Sequence, residues 1–372
     1  MYLLICIASL AGIGLIITMV NCLFWPRLQP LSEQYSKYVS VLIPARNEER
    51  NLPDCLQSII EQGDVILEIL VYDDYSTDNT SLVVERYKQK CGKISLIDSV
   101  MLPADWCGKN HACDRMAKAA KGEWLLFLDA DARLTKNAVN RMLSESIRQG
   151  TTFMSCWPRI DMYSVAEKIL MPFLNFVVFS IYPAIFQFIK HPEVQYNPKL
   201  GLAHGACMLF ERKSYEGFGG HSVVKAEIFE DTRIAQRWLA DKRKGLCLDG
   251  QDIVHLRMYG SLAEICQGFQ KNFYLAFERE GKFWAFILFH VIVYLLPFLI
   301  VVIAPSFLSL IIITFIFTIR SLLAYRFNHS FLSVLFHPIG QLIMIGIGLS
   351  SWWQCKMGKG VSWKGRQYSQ NG

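Results

Sequence analysis

The sequence predicts an α/β domain, a sheet of strands joined by crossover helices, carried on apolar helices at both ends of the chain. Three observations lead there. Between residues 38 and 160, short apolar runs alternate with longer amphipathic stretches, the pattern of repeated β-α-β units. Acids and turn formers follow the strands, as in Asp73-Asp74 and Asp129-Ala-Asp131. The chain of 372 residues is 52% hydrophobic with a mean hydropathy of +0.25, and that excess gathers at the ends.

The elements follow in order. Tyr2 to Phe24 is uncharged and long enough to span a bilayer. It has neither a basic leader nor a small-residue cleavage site before Trp25-Pro-Arg27, so residues 1–26 are expected to stay as an anchor. Tyr38 to Pro44 reads as the first strand and Ala45 to Asn51 as a polar loop. Leu52 to Ile60 has helical spacing. Ile66 to Tyr72 is the second strand, and Thr80 to Lys90 the next helix. A third strand is expected over Ile94 to Val100, a helix from Gly108 to Ala120, and a fourth strand over Leu125 to Leu128. The run Trp124 to Leu128 delivers Asp129 and Asp131 to the carboxyl edge of a parallel sheet, where such folds bind ligands. No Gly-x-Gly-x-x-Gly follows the first strand and no Gly-x-x-x-x-Gly-Lys-Ser/Thr occurs, so dinucleotide and P-loop folds lack their phosphate cradle.

A second polar block runs from about 192 to 282, and residues 32–282 together make one domain of ordinary size. Within it, Val165 to Ile189 is apolar enough to span. A true span there would put the two polar blocks on opposite sides of a membrane, so helices over 165–190 are expected to lie in the interface. Residues 283–353 read as a transmembrane region and 354–372 as a basic tail. Three spans in that region would carry Lys356 to Arg366 outside a cell whose cytoplasm holds the polar domain. That breaks the positive-inside rule unless 331–353 is re-entrant.

The net charge of +6 comes from basic residues flanking apolar segments, among them Arg279, Lys282 and Arg326. This is the charge pattern of membrane topology. No basic stripe with interleaved aromatics points to nucleic acid as a partner. The 11 cysteines are scattered, and Cys107 and Cys113 around His111 fit no zinc spacing. Reduced thiols facing the cytoplasm are expected.

Asp-x-Asp alone most often caps a turn. Two acids at a strand end also suit a hard divalent cation that carries phosphates. Further segments at suitable spacing favour the second use: Ile43-Pro-Ala-Arg-Asn-Glu48, Asp73-Asp-Tyr-Ser-Thr-Asp78, Gly108-Lys109, Gly219-Gly220 and Glu230-Asp231. In that order, with Asp129-Ala-Asp131, residues 38–275 resemble the family 2 glycosyltransferases, nucleotide-sugar enzymes of the GT-A fold. Within the family they are most similar to membrane-anchored bacterial enzymes that glycosylate lipids, including carotenoid and hopanoid types. Trp363-Lys-Gly-Arg-Gln-Tyr368 resembles the tail of that subgroup.

The resemblance implies a bacterial multi-pass membrane enzyme with a cytoplasmic catalytic domain. It would transfer a sugar from a UDP-sugar, with UDP-glucose the favoured donor, to a lipid acceptor. Asp131 is expected to hold Mg²⁺ or Mn²⁺, since carboxylate and phosphate oxygens suit those ions better than Zn²⁺. Asp129 is expected on the ribose or sugar side. Asp74 is expected at the uracil, with Pro44, Asn47 and Glu48 shaping the nucleoside pocket. Lys109 is a candidate contact for the diphosphate or the sugar, and Arg257 and Lys271 for the diphosphate. Asp231 matches the catalytic base of an inverting displacement, with Glu230 beside it. His204 and His221 are expected to be structural.

The chain departs from the processive members of the family. Their Gln-x-x-Arg-Trp is met only by Arg233-Ile-Ala-Gln-Arg-Trp238, which follows the base at once, or by Gln267-Gly-Phe-Gln-Lys271-Asn272, which has Lys-Asn in place of Arg-Trp. Transfer of a single sugar is therefore favoured over a polysaccharide synthase. A non-catalytic membrane scaffold would call for charges inside the spans, where only His290 and Arg320 stand.

Overall fold

The computed structural model describes residues 1–30, 35, 38–277, 279–357, 361–363 and 366–368. Lys364 and Gly365 of the expected family tail, and Lys359, lie outside the described residues. In chain order the elements begin with α1 (Tyr2–Phe24), β1 (Val39–Ala45), α2 (Leu52–Ile60), β2 (Ile66–Asp73), α3 (Thr80–Lys90), β3 (Ile94–Ile97) and α4 (Gly108–Ala119). Next come β4 (Trp124–Leu128), β5 (Ala132–Leu134), α5 (Ala138–Gln149), β6 (Phe153–Trp157), β7 (Arg159–Ile160), α6 (Val165–Leu170), α7 (Pro172–Phe179) and α8 (Pro192–Gln195). Then follow β8 (Cys207–Glu211), α9 (Arg212–Phe218), α10 (Glu230–Ala240), β9 (Gly245–Asp249), β10 (Val254–Leu256) and α11 (Leu262–Asn272). The last helices are α12 (Glu280–Tyr294), α13 (Leu296–Ile303), α14 (Phe307–Arg326), α15 (Leu332–Leu335) and α16 (His337–Lys356), before a short hairpin of β11 (Val361–Trp363) and β12 (Arg366–Tyr368).

The chain forms two units, one of Pro26–Asp161 and Phe186–Met258, the other of Met1–Trp25, Met162–Ile185 and Tyr259–Gly372. Of the expected domain over 32–282, residues 162–185 and 259–282 fall in the second, helical unit.

In the first unit seven strands pair in the order β3-β2-β1-β4-β8-β6-β9. Alternate residues of the central strands face opposite cores. Val41, Ile43, Leu126 and Leu128 pack with α2 and α5, while Leu42, Tyr72, Leu125 and Phe127 pack with α4 and α10. β3 stops three residues earlier than the sequence predicts, because β2 turns away at Asp73, leaving Ile97 opposite Tyr72 as the last pair.

The four strands expected to be parallel are parallel. The sheet as a whole is mixed, since β8 runs against both β4 and β6. The reason is its entry point. Cys207, the first residue of β8, faces Leu128, the last residue of β4, so the chain enters β8 at the carboxyl edge without the crossover a parallel strand needs. This brings His204–Ala206 to the edge where β4 ends, and the Asp129 N–H donates to the Ala206 carbonyl at 3.1 Å.

In the second unit, three helices among the described residues are long and apolar enough to cross a membrane: Tyr2–Phe24, Glu280–Ile303 and Phe307–Arg326. The last two form a hairpin, and the Arg326 guanidinium donates to the Trp25 carbonyl at 2.9 Å, so α14 and α1 end together. α16 runs antiparallel to α12. His337 meets the Tyr294 carbonyl at 3.2 Å, Gln341 meets His290 at 3.1 Å, and Trp352 donates to Glu280 at 2.8 Å. Lys356 closes the run with an ion pair to Glu280 at 2.7 Å. The chain past α14 therefore turns inward to the level of Tyr294 and comes back to that of Glu280.

The segment Met162–Ile185 starts with a capping box, Ser164 with Glu167, and breaks at Pro172. Its large rings turn inward. Phe173 stacks on His337, Phe176 lies 4.8 Å from the Tyr294 ring, and Phe179 lies 4.6 Å from that of Trp25. The Asn21 amide of α1 donates to the carbonyls of Phe179 and Tyr182 at 2.9 and 2.7 Å, and its oxygen accepts from the Ala184 N–H at 2.9 Å. These bonds serve backbone groups left over where α7 ends.

Candidate active site

β1 and β2 end side by side, with Ala45 opposite Asp73. The loops that follow are bonded into one another. The Asp74 N–H donates to the Ala45 carbonyl at 2.8 Å, the Asn47 N–H to Ser76 Oγ at 2.9 Å, and the Glu48 N–H to Thr80 Oγ1 at 2.8 Å. Asn47 Oδ1 accepts from the Thr77 N–H at 2.8 Å, and the Arg46 guanidinium donates to the Asp74 carbonyl. Asn47 and Tyr75 both take left-handed backbone angles, φ 53° and 54°. Such angles cost a non-glycine residue on the order of 1 kcal/mol and are held by the bonds around them. Pro44, Asn47, Glu48 and the buried Asp74, the four residues expected at the nucleoside, thus come together on one edge of the sheet. Asp78 serves the turn itself, accepting from Thr80 and from the Glu49 N–H. Burial works against its ionisation, and these bonds outweigh it and hold the carboxyl below its ordinary range.

A second cluster forms where β4 ends and α10 begins. Lys109, in the first turn of α4, places Nζ 2.7 Å from Asp129 Oδ1 and 2.8 Å from Glu230 Oε1. Its ammonium is partly buried, which disfavours charge, but the two carboxylates outweigh burial and hold it charged. Glu230 is likewise pushed up by burial and drawn down further by Lys109, so it stays ionised. Asp231 differs. The Gly205 N–H donates to its Oδ2 at 2.8 Å and the Thr232 N–H to its Oδ1 at 2.6 Å. Burial and the adjacent Glu230 charge raise its carboxyl to about 6. Adjacent acids are thereby set apart, one fixed as an anion and one poised near neutrality, a common device in proton transfer.

Gly205 was not among the residues expected from the sequence. A Cβ there would sit 3.3 Å from each of Asp231 Oδ2, Glu230 Oε1 and Lys109 Nζ, so the bare backbone lets the three groups close. The sequence signal was a glycine just before an apolar strand, His204-Gly-Ala206, which is too common to single out.

Asp131 stands two residues past Asp129 and leads into β5, with the Arg133 guanidinium on its main-chain carbonyl at 2.8 Å. Leu256 of β10 faces Ala132 of β5; the exposed Arg257 directly follows Leu256, and Asp131 directly precedes Ala132. Lys271 lies in α11 and belongs to the helical unit, while the other candidates belong to the first unit.

Among the described residues, no three His, Cys, Asp or Glu side chains group as a closed metal cage. An open carboxylate at a strand end still fits Mg²⁺ or Mn²⁺, which bind through one or two carboxylates plus substrate phosphates. The expected histidines are structural in their contacts. His221 is fully buried and bonded to the Tyr215 hydroxyl at 2.6 Å, and His204 packs edge-on to Trp157. Burial pushes both down to about 3, so neither carries a proton near neutral pH. Trp238, the last residue of Gln236-Arg237-Trp238, is a core residue packed against Phe153 and Phe210.

Residues 40–219 match the family described as Glycosyl transferase family 2. The chain is 25% identical over 344 residues to the 4,4'-diaponeurosporenoate glycosyltransferase of Staphylococcus aureus strain MRSA252, covering 90% of this chain and 88% of that one. It is 24% identical over 347 residues to the protein of the same name from strain USA300, with the same coverage. Among solved structures it is similar to the mannosyltransferase PcManGT from Pyrobaculum calidifontis in complex with GDP-Man and Mn²⁺. The TM-score is 0.56 at 18% identity, over 95% of this chain and 99% of that one, a likeness of fold.

Proposed function

The chain is a glycosyltransferase with a family 2 domain on a GT-A fold, and from that premise we propose that it moves one sugar from a UDP-sugar to a membrane lipid with inversion at the anomeric carbon. UDP-glucose is the favoured donor. The observation that carries this reading is the Lys109 bridge, which ties the end of β4 to the start of α10 and so joins the donor-side Asp129 to the Glu230-Asp231 pair.

In this reading the loops after β1 and β2 hold the nucleoside, with Asp74 at the uracil and Pro44, Asn47 and Glu48 around it. Asp129 faces the ribose or the sugar. Lys109 and Arg257 add positive charge toward the diphosphate, and Lys271 is a further candidate. Asp231 takes the proton from the acceptor hydroxyl as that oxygen attacks the anomeric carbon and the bond to the diphosphate breaks. Glu230, kept anionic by Lys109, keeps the base from losing its proton affinity. A divalent cation, when bound, neutralises the charge that develops on the leaving diphosphate, and Asp131 would hold it.

The lipid acceptor is supported by the three apolar helices and by the named relatives, which act on a carotenoid acid by their names. A direct test is release of UDP by the full chain in lipid nanodiscs, with and without Mn²⁺ and with extracted bacterial lipid. Turnover that needs UDP-glucose, Mn²⁺ and added lipid supports the reading. Activity with GDP-mannose alone, or UDP release that ignores added lipid, sinks it.

The helical unit also supports an orientation. The ends marked by Trp25, Glu280, Arg326 and Lys356 fall on one side of the helix bundle, while Ala304–Ser306 turns on the other. Arg279, Lys282, Arg326 and Lys356 cluster on the first side, and the turn carries no charge. By the positive-inside rule the first side is cytoplasmic. A fluorescent protein fused after Met357 should fold and fluoresce in the cytoplasm, and alkaline phosphatase inserted at Pro305 should be active outside. An active phosphatase after Met357 would overturn this topology.

A further inference from the structure

We propose that Asn110 is a positioning residue for the Glu230-Asp231 pair, holding in place, through its side-chain amide, the loop that carries the pair. The proposal rests on the reading of Asp231 as the base.

Asn110 lies next to Lys109 in the first turn of α4 and is 1% exposed. Its Nδ2 donates to the carbonyls of Val224 at 2.7 Å, Glu227 at 2.8 Å and, more weakly, Lys225 at 3.3 Å. The loop that receives these bonds leads directly into α10. It has little structure of its own. Within it the Glu227 N–H reaches the Val224 carbonyl at 2.9 Å, and from outside the Cys107 N–H reaches the Lys225 carbonyl at 2.7 Å.

α10 also starts without the usual fixing device. Its N-cap residue is Phe229, which has no side-chain oxygen to accept from the first free N–H groups. The helix that presents both acids is therefore set from outside, by the start of α4. Lys109 grips Glu230 by charge and belongs to the site. Asn110 touches neither acid and acts on the backbone before them.

The side-chain chemistry points the same way. A primary amide brings two N–H donors to a place where the backbone offers only carbonyls. The other end of the same amide, Oδ1, is buried with no hydrogen-bond partner. An apolar side chain would fill the space without stranding an acceptor, so the residue suits the site by its donors. Aspartate has nearly the same shape but would turn an oxygen toward the same carbonyls.

The experiment uses the full chain in lipid nanodiscs with Asn110→Ala and Asn110→Asp. Three quantities are read: UDP affinity by calorimetry, UDP release per UDP-binding site, and amide hydrogen exchange over residues 222–232. Normalising to binding sites separates placement from loss of folded protein. The expected result is UDP affinity within about twofold of the parent and turnover per site lowered by about 10–100-fold, as for a reacting group moved by about 1 Å. Exchange over the loop should be faster, and the aspartate variant should be worse on both counts. Unchanged exchange, or turnover per site within about twofold, overturns the proposal. If the aspartate variant does not fold, Asn110→Ser takes its place beside the alanine. A parent that neither binds UDP nor turns over refutes the functional reading, and the exchange arm alone then decides whether Asn110 holds the loop.

Discussion

Asp131→Ala abolishes transfer while the protein keeps its fold. Asp131 is only partly buried, and the bond recorded to Arg133 uses its main-chain carbonyl, which alanine retains. The melting temperature should therefore stay within a few degrees of the parent. Turnover should fall by about 10²-fold or more, the usual cost of removing a group that stabilises charge in the transition state. Mn²⁺ should no longer stimulate what remains. A second readout is independent of turnover. Mn²⁺ should tighten UDP binding to the parent and leave UDP binding to the variant unchanged. Activity within about tenfold of the parent, with stimulation by Mn²⁺ intact, removes Asp131 from this role.

Asp231→Asn stops turnover and spares donor binding. The amide keeps the size of the side chain and loses the proton acceptor, a loss of about 10²–10⁴-fold. The parent should also show its base in its pH profile. A base works only when deprotonated, so kcat/KM should rise with pH through about 6 and level off above, the value to which burial and Glu230 lift the carboxyl. The variant should lack that limb. A parent profile flat between pH 5 and 7 denies Asp231 the role, and so does a variant that loses UDP affinity along with turnover. A small effect of Asp231→Asn beside a large effect of Asp131→Ala points to an acceptor that attacks as a carboxylate and needs no base.

Much of the sheet was legible because its strands are apolar runs punctuated by acids. Trp124–Leu128 could hardly be read otherwise, and it carried Asp129 and Asp131 to the right edge. Strand direction was less legible. β8 is five residues long and follows a long stretch without periodicity, so nothing in Cys207–Glu211 says which way it runs. Its reversal is what puts the Gly205 N–H on Asp231. The acids could be picked out by residue type and spacing, but Lys109 as the bridge between two of them could not, since its partners lie 20 and 121 positions away. Asn110 escaped for a related reason. Its partners are backbone carbonyls, which every residue has. In the helical unit, composition gave the three apolar helices. It did not set the role of α16, because an apolar helix of 20 residues reads the same whether it crosses or turns back.

The bonds from Asn21 to Phe179, Tyr182 and Ala184 also set a timetable for biogenesis. α1 leaves the ribosome first, with a polar amide on an otherwise apolar helix. Its partners are some 160 residues downstream, which at about 5–20 residues per second is roughly 8–30 s of synthesis. The inward face of Phe173 and Phe176 waits longer still, for Tyr294, Arg320 and His337. The strands of the seven-stranded sheet all come before residue 259, so the sheet can close while the helical unit is unfinished. Packing of the helical unit is therefore completed late, and a nascent chain halted before α14 would leave Phe173 without Arg320 and His337.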